Sequence, residues 1–61
     1  MKFYRVEKWD TQTEKCVANY GTMCEEDMEL TVRGYKREMC FDQIMYTRKG
    51  SRWLFMVDEV K

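Results

Sequence analysis

Residues 41–60, FDQIMYTRKGSRWLFMVDEV, limit the possible folds most, because they alternate like two strands and carry apolar side chains on both faces. A two-residue turn at Lys49-Gly50 or at Gly50-Ser51 would close them into a β-hairpin. Either turn separates the apolar side chains into two sets. One set is Ile44, Tyr46, Trp53, Phe55 and Val57, and the other is Met45, Leu54 and Met56. We expect one face to pack on a helix and the other to contact something else.

The segment before the hairpin predicts that helix, over residues 23–39. Thr22 and Glu25 have the spacing of a capping box, acidic residues fill the first turns, and basic residues fill the last. Apolar residues recur at helical spacing in one stripe: Cys24, Met28, Val32, Tyr35 and Met39. Against this helix, Gly34 interrupts it and residues 28–32 (MELTV) alternate as a strand would. If residues 28–32 form a strand, the chain becomes a five-stranded meander or a small SH3-like barrel.

The first residues of the chain predict a strand and a turn. Residues 2–9 alternate, with Tyr4 and Val6 on one face. The opposite face carries Phe3, Arg5, Glu7 and Trp9. The polar cluster DTQTE (10–14) that follows is typical of a turn.

Residues 15–20, KCVANY, predict a second strand that ends at Gly21. Strict alternation would place Cys16, Ala18 and Tyr20 on one side of it. Combined with the helix and the hairpin, these strands predict an α+β fold in the order ββαββ. One helix would pack on one face of an antiparallel sheet, in a single domain of residues 1–61.

The small size of the chain makes its means of stabilisation a question. A chain of 61 residues buries only about 60% of the surface that its unfolded form exposes, and such chains often use disulfides, a metal ion or a second chain. The cysteines, Cys16, Cys24 and Cys40, are odd in number and form no CxxC pair, and the sequence has no histidine. We therefore predict reduced, mostly buried thiols, no metal and no cofactor.

The sequence also predicts where the protein is found. Its N-terminus, MKFYRVEKWD, lacks the apolar segment of a signal peptide. The longest apolar run, WLFMV, is far too short to cross a bilayer. We therefore expect a cytoplasmic protein without a membrane segment.

The sequence contains few side chains that could take part in catalysis. Histidine, the usual acid or base at neutral pH, is absent, and the lone serine, Ser51, has no neighbouring base. Cys24 would gain nucleophilicity at the start of the predicted helix, but three acidic residues follow it directly and oppose thiolate formation. The three glycines are isolated, so no phosphate-binding loop is present. We predict that the protein is not an enzyme.

The hairpin tip, residues 46–55, is the candidate for nucleic-acid binding. Arg48, Lys49 and Arg52 lie between Tyr46 and Trp53, so cations could contact phosphates while an aromatic ring stacks on a base. The simpler interpretation is a solvated hairpin end whose cations discourage strand pairing. The chain has 11 basic and 11 acidic residues, and this neutral balance disfavours general attraction to nucleic acid or membranes.

By elimination, the sequence predicts a protein-binding module. One helix covers only one face of a sheet, so Met45, Leu54 and Met56 should stay exposed beside Trp9 or Phe3. An apolar patch on a neutral chain predicts a two-fold homodimer or a docking site for a protein target. Arg48, Lys49 and Arg52 could extend the partner-binding surface. Short, proline-free, aromatic-rich chains of this kind suit inhibitors or regulators of larger proteins, including the host-directed and anti-defence proteins of phages.

Overall fold

A computed structural model describes the backbone of residues 1–61 and every side chain except that of Cys40. Over this chain the backbone forms five strands and one helix: β1 (Phe3–Asp10), β2 (Lys15–Cys24), α1 (Glu25–Thr31), β3 (Lys36–Cys40), β4 (Gln43–Thr47) and β5 (Trp53–Val60). The strands form one antiparallel sheet in the order β2-β1-β5-β4-β3, which does not close into a barrel. The predicted sheet-based small domain is confirmed. The order ββαββ is wrong, because a further strand follows the helix.

The helix begins later and ends earlier than residues 23–39. Thr22 belongs to β2, and Cys24 is the N-cap residue without a side-chain hydrogen bond, so the predicted capping box does not form. The acidic residues in the first turn, Glu25, Glu26 and Asp27, do have the placement that the helix dipole favours. The basic residues predicted for the last turn lie beyond the end of the helix.

The helix ends at Thr31 because the chain turns at Gly34. The φ angle of Gly34 is +87°, which a helix interior does not accommodate and which glycine adopts without steric cost. The Tyr35 N–H donates to the Val32 carbonyl at 3.0 Å and closes this turn. Residues 36–40 then pair with β4, with Arg37 opposite Tyr46. The helix predicted over residues 32–39 is therefore wrong, and the last part of that range is an edge strand.

Strand β2 also differs from its prediction. It continues through Gly21 to Cys24, and Val17 and Tyr20 are extra residues without an opposite residue on β1. These two bulges place Cys16 opposite Trp9 and Ala18 opposite Lys8, hence on opposite faces of the sheet. The prediction that Cys16, Ala18 and Tyr20 share one side is wrong, because it assumed uninterrupted alternation.

The predicted hairpin of residues 41–60 is confirmed in β4 and β5. Tyr46 lies opposite Phe55 and Ile44 opposite Val57. The Ser51 N–H donates to the Arg48 carbonyl at 3.0 Å, so Lys49 and Gly50 are the central residues of the turn. The pairing of β4 with β5 nevertheless has the register that a two-residue turn at Gly50-Ser51 would produce. This is possible because the loop residues Ser51 and Arg52 lie between the observed turn and β5.

The core lies between α1 and one face of the sheet, which we call the covered face. Its buried residues are Tyr4, Val6, Met28, Val32, Phe55 and Val57, and Met23, Tyr35, Ile44 and Tyr46 pack around them. Val6 and Val57 are fully buried and directly opposite each other on β1 and β5. The Tyr35 ring meets the Phe55 ring edge to face, with the ring centroids 5.1 Å apart.

The cysteine predictions have mixed outcomes. Cys16 is exposed, so the prediction of a buried thiol is wrong for it, and Cys24 is half-buried. The Cys40 thiol lies outside the described side chains. In the part of the chain that is described, no helix is long and apolar enough to cross a membrane.

Candidate functional site

The sheet face opposite α1 brings together four residues predicted to bind a partner. Because Tyr4, Val6, Phe55 and Val57 point into the core, their neighbours along the strands point the other way. Met45 lies opposite Met56, and Trp9 lies opposite Leu54. We call this surface, centred on Trp9, Met45, Leu54 and Met56, the open face. All four side chains are half-buried, and no described element packs over them.

Acidic residues flank the two methionines of the open face. Glu7 lies opposite Met56 on β1, and Glu38 lies opposite Met45 on β3. Asp58 follows on β5 and accepts hydrogen bonds from the Gln43 amide at 3.3 and 3.4 Å. Arg5 lies opposite Asp58 on the same face. The open face is therefore an apolar centre with charged residues around it, an arrangement typical of a protein interface with a polar rim.

Trp9 contributes more than its ring surface to the open face. Its Nε1–H is buried and has no hydrogen-bond acceptor among the described atoms. A buried donor without an acceptor costs about 1–3 kcal/mol. Trp9 therefore carries an energetic penalty in the isolated chain.

The turn between β3 and β4 places a phenylalanine at the end of the open face. Phe41 and Asp42 form a two-residue turn, since Cys40 pairs with Gln43. The Phe41 side chain is 98% exposed, and its φ angle is +58°. Large side chains rarely adopt this left-handed region, so the turn carries backbone strain. The sequence analysis did not identify Phe41 as a turn residue. The pair Phe41-Asp42 between two alternating segments was the signal that could have identified this turn.

A shallow groove of about 500 Å³ lies beside Phe41 and extends onto the open face. Its lining residues are Phe41, Asp42, Gln43, Met45, Met56 and Asp58. The walls thus combine an aromatic ring and two thioethers with two carboxylates. Such a groove can accept an apolar side chain, because methionine adapts its shape and makes favourable contacts with aromatic rings.

Both edges of the sheet carry features that discourage the addition of a strand. The edge strand β2 is interrupted by the bulges at Val17 and Tyr20. The opposite edge strand, β3, begins with Lys36 and Arg37. Bulges and charged residues both disfavour pairing between sheet edges. Both edges are therefore poor sites for the addition of a strand.

Arg52 does not extend freely from the hairpin tip. Its Nη2 lies 2.7 Å from Asp10 Oδ2, and its Nε lies 3.0 Å from both carboxylate oxygens. The Thr11 N–H and hydroxyl donate to the Arg52 carbonyl at 2.9 and 2.6 Å. Arg52 therefore joins the loop before β5 to the turn after β1, which is a structural role.

Asp10 is the acidic partner in this ion pair, and only 5% of its side chain is exposed. The hydrogen bonds from Arg52 lower the pKa of Asp10 from 3.8 to about 2, aided by the Gln12 N–H, which donates at 2.8 Å. The carboxylate in turn raises the pKa of Arg52. Sequence analysis missed this role, although an aspartate that accepts a bond from the backbone two residues later is a common turn signal.

The remaining cations of the tip lie in the hairpin loop, beside the rim of the open face. Arg48 and Lys49 are exposed, and with Lys36 and Glu38 they line a second open groove of about 480 Å³. The tip aromatics have other contacts: Tyr46 packs against the core, and the Trp53 ring lies 4.7 Å from Lys8 Nζ. Arg52 Cζ also lies 5.3 Å from that ring, so cations already occupy positions where a base would stack.

Among the side chains that the structure describes, no group of three or more histidine, cysteine, aspartate or glutamate residues is placed to hold a metal ion. Comparison with protein-family models, curated proteins and solved structures finds no match for this chain. Its function must therefore be argued from its own surfaces.

Proposed function

We propose that the protein is a small non-enzymatic protein-binding module that inhibits or regulates a larger protein by docking its open face on that target. The observation that carries the proposal is the contiguous apolar surface on the sheet face without a covering element. Aromatic and methionine side chains are enriched at the centres of protein interfaces, and Trp9, Met45 and Met56 belong to these types.

The size of the open face supports this function. Strands lie about 4.8 Å apart and rise about 3.3 Å per residue, so five strands of roughly seven residues present about 550 Å² of flat area. Side-chain relief increases the accessible area beyond this value. A standard protein interface buries about 800 Å² on each partner. The open face can therefore supply most of one specific interface.

Nucleic-acid binding by residues 46–55 is the alternative, and it has less support. Arg52 is paired with Asp10, and cations already lie near the Trp53 ring. Arg48 and Lys49, with Lys36 in the same groove, then remain as cations for phosphate, and three such contacts on a neutral chain provide little affinity.

The experiment is a comparative capture from the lysate of the native host, followed by mass spectrometry. The baits are the parent protein, Leu54→Glu on the open face and Leu30→Glu on α1, where the parent leucine is 66% exposed. We expect a captured protein that the parent and Leu30→Glu retain and Leu54→Glu loses, with circular dichroism showing that all three baits are folded.

Salt dependence separates the two functions. With the bait dilute enough to be monomeric, capture through the open face should change little between about 50 and about 500 mM NaCl, whereas capture through phosphate contacts should weaken steeply. Capture that survives Leu54→Glu unchanged, or that nuclease treatment abolishes, would contradict the proposed function.

A further inference from the structure

Phe41 occupies an energetically unfavourable position. The left-handed backbone at its position favours glycine, and a fully exposed aromatic ring gains no burial to offset the strain. Strained residues of this kind cluster at functional sites. The described side chains around Phe41 leave 98% of it exposed, so its ring is accessible to a second molecule.

A site that fits the ring lies next to it on the same surface. Phe41, Met45 and Met56 all line the groove of about 500 Å³. One phenylalanine side chain occupies only part of this volume, and the thioethers provide a polarisable wall for it. The Phe41 ring of the same chain forms one end of the groove and does not fill it.

An anchor and a matching groove on one surface make that surface self-complementary. A two-fold axis that lies in the interface, between Phe41 and the methionine pair, relates the two copies. It places the Phe41 ring of each copy over the methionine pair of the other copy. This is the isologous contact on which most homodimers are built. The bulges of β2 and the charges of β3 disfavour the other common route, which joins two sheets edge to edge.

We propose that the open face of the free protein is covered by a second copy, with Phe41 of each copy packed on Met45 and Met56 of the other. The inference rests on the proposed function in one respect, that the open face is the docking surface. It adds regulation of that surface: a dimer hides it, so target binding competes with self-association and depends on protein concentration.

The acidic residues of the groove determine how the dimer responds to salt. Asp42 and Asp58 both line the groove. In such a dimer the carboxylates of the two copies would approach one another, and their repulsion would be screened as ionic strength rises. Self-association should therefore strengthen between about 50 and about 500 mM NaCl. A partner attracted by these carboxylates would show the opposite trend.

The test is sedimentation equilibrium of the full chain from micromolar to near-millimolar concentration, with Phe41→Gly as the variant. The parent should approach twice the 7.5 kDa chain mass, and Phe41→Gly should weaken dimerisation at least about tenfold. At concentrations where both are monomeric, Phe41→Gly should melt a few degrees higher, because glycine relieves the turn. Leu30→Gln, which removes a comparably exposed apolar side chain from α1, should dimerise like the parent.

Methyl spectra of protein labelled at methionine locate the contact. On dilution, the Met45 and Met56 signals should shift as the Phe41 ring leaves, and Phe41→Gly should abolish this dependence. A parent chain that stays monomeric throughout, or a Phe41→Gly dimer as tight as the parent, overturns the inference. A monomeric parent whose target capture is lost in Leu54→Glu would leave the proposed function standing, whereas a Phe41-dependent dimer that captures no target would contradict only the proposed function.

Discussion

Phe55 and Met56 are neighbours on β5, but they belong to different environments. Phe55 points to the covered face, where it packs beneath Tyr35 as part of the core. Met56 points to the open face, opposite Met45 on one side and Glu7 on the other. Both residues are large and apolar, so residue type does not explain the difference. The two environments differ because the 61-residue chain forms only two layers, a sheet and one short helix, and the helix covers one face of the sheet.

The two faces also differ in what surrounds their apolar residues. The covered face is almost purely apolar at its centre, with Val6 and Val57 fully buried. The open face intersperses carboxylates and methionines across neighbouring strands. A mixture of apolar and charged side chains is typical of protein interfaces, which is the physical basis for proposing this face as a docking surface.

The largest expected effect separates the faces by stability. Phe55→Ala should lower the free energy of unfolding by about 3–5 kcal/mol, because it creates a cavity in the core. Met56→Ala should lower it by no more than about 1 kcal/mol, since no described element closes over that side chain. Urea titration of both variants at low protein concentration measures the difference. Equal losses would mean that the open face is packed as tightly as the core, which would remove the distinction.

The next effect concerns Asp10, a charged residue with the deep burial of the covered face. Its folded-state pKa of about 2 lies below the ordinary 3.8, so the ion pair with Arg52 contributes stability that is fully present above about pH 4–5. This contribution is lost as the pH falls from about 4 to about 2. Asp10→Asn should lower the melting temperature at pH 7 by several degrees, and less at pH 2.

Thermal melts of the parent and Asp10→Asn across this pH range check the prediction. The difference between their melting temperatures should shrink as acid is added. Acid protonates Asp10 in the parent and so removes the ion pair with Arg52 that the substitution has already removed. Two curves that stay parallel from pH 7 to pH 2 would show that Asp10 is not held ionised by Arg52.

A smaller effect tests why strand β3 forms, since this strand completes the width of the open face. β3 begins because the chain turns at Gly34, where an added Cβ would meet no atom within 4 Å but would sit at a φ of +87°. Gly34→Ala should therefore destabilise the protein by about 1 kcal/mol through backbone strain alone. A continuous helix over residues 23–39 would instead gain about 1 kcal/mol from the same change. Chemical denaturation thus decides between the two structures by sign.

The smallest effect lies outside both faces, at the hairpin loop. Arg48→Glu with Lys49→Glu should change the free energy of unfolding by no more than about 0.5 kcal/mol, because both side chains are exposed. Adding Arg52→Glu should cause a clear further loss, since it places a second carboxylate beside Asp10. If the double variant also keeps target binding, the loop cations have no part in the interface.

Local chemistry in the sequence determined a good part of this protein. Alternation and a glycine turn predicted the hairpin of residues 41–60, and strict alternation assigned Met45, Leu54 and Met56 to the side away from the core. Acidic residues at 25–27 marked the first turn of the helix. These features depend on neighbours along the chain and on which way a strand side chain points, and both can be deduced without knowing the fold.

Only the tertiary structure decided the rest, because the deciding partners are distant in sequence. Residues 36–40 keep a helical apolar spacing, but β4 offers them a strand to pair with after Gly34 turns the chain. Arg52 looked like a free cation until the fold brought Asp10, 42 residues away, within 2.7 Å of it. Phe41 looked like a strand residue until the short β3–β4 turn exposed it. Spacing along a chain records local preference, whereas pairing between strands and burial of charge are settled by contacts that exist only once the whole sheet has formed.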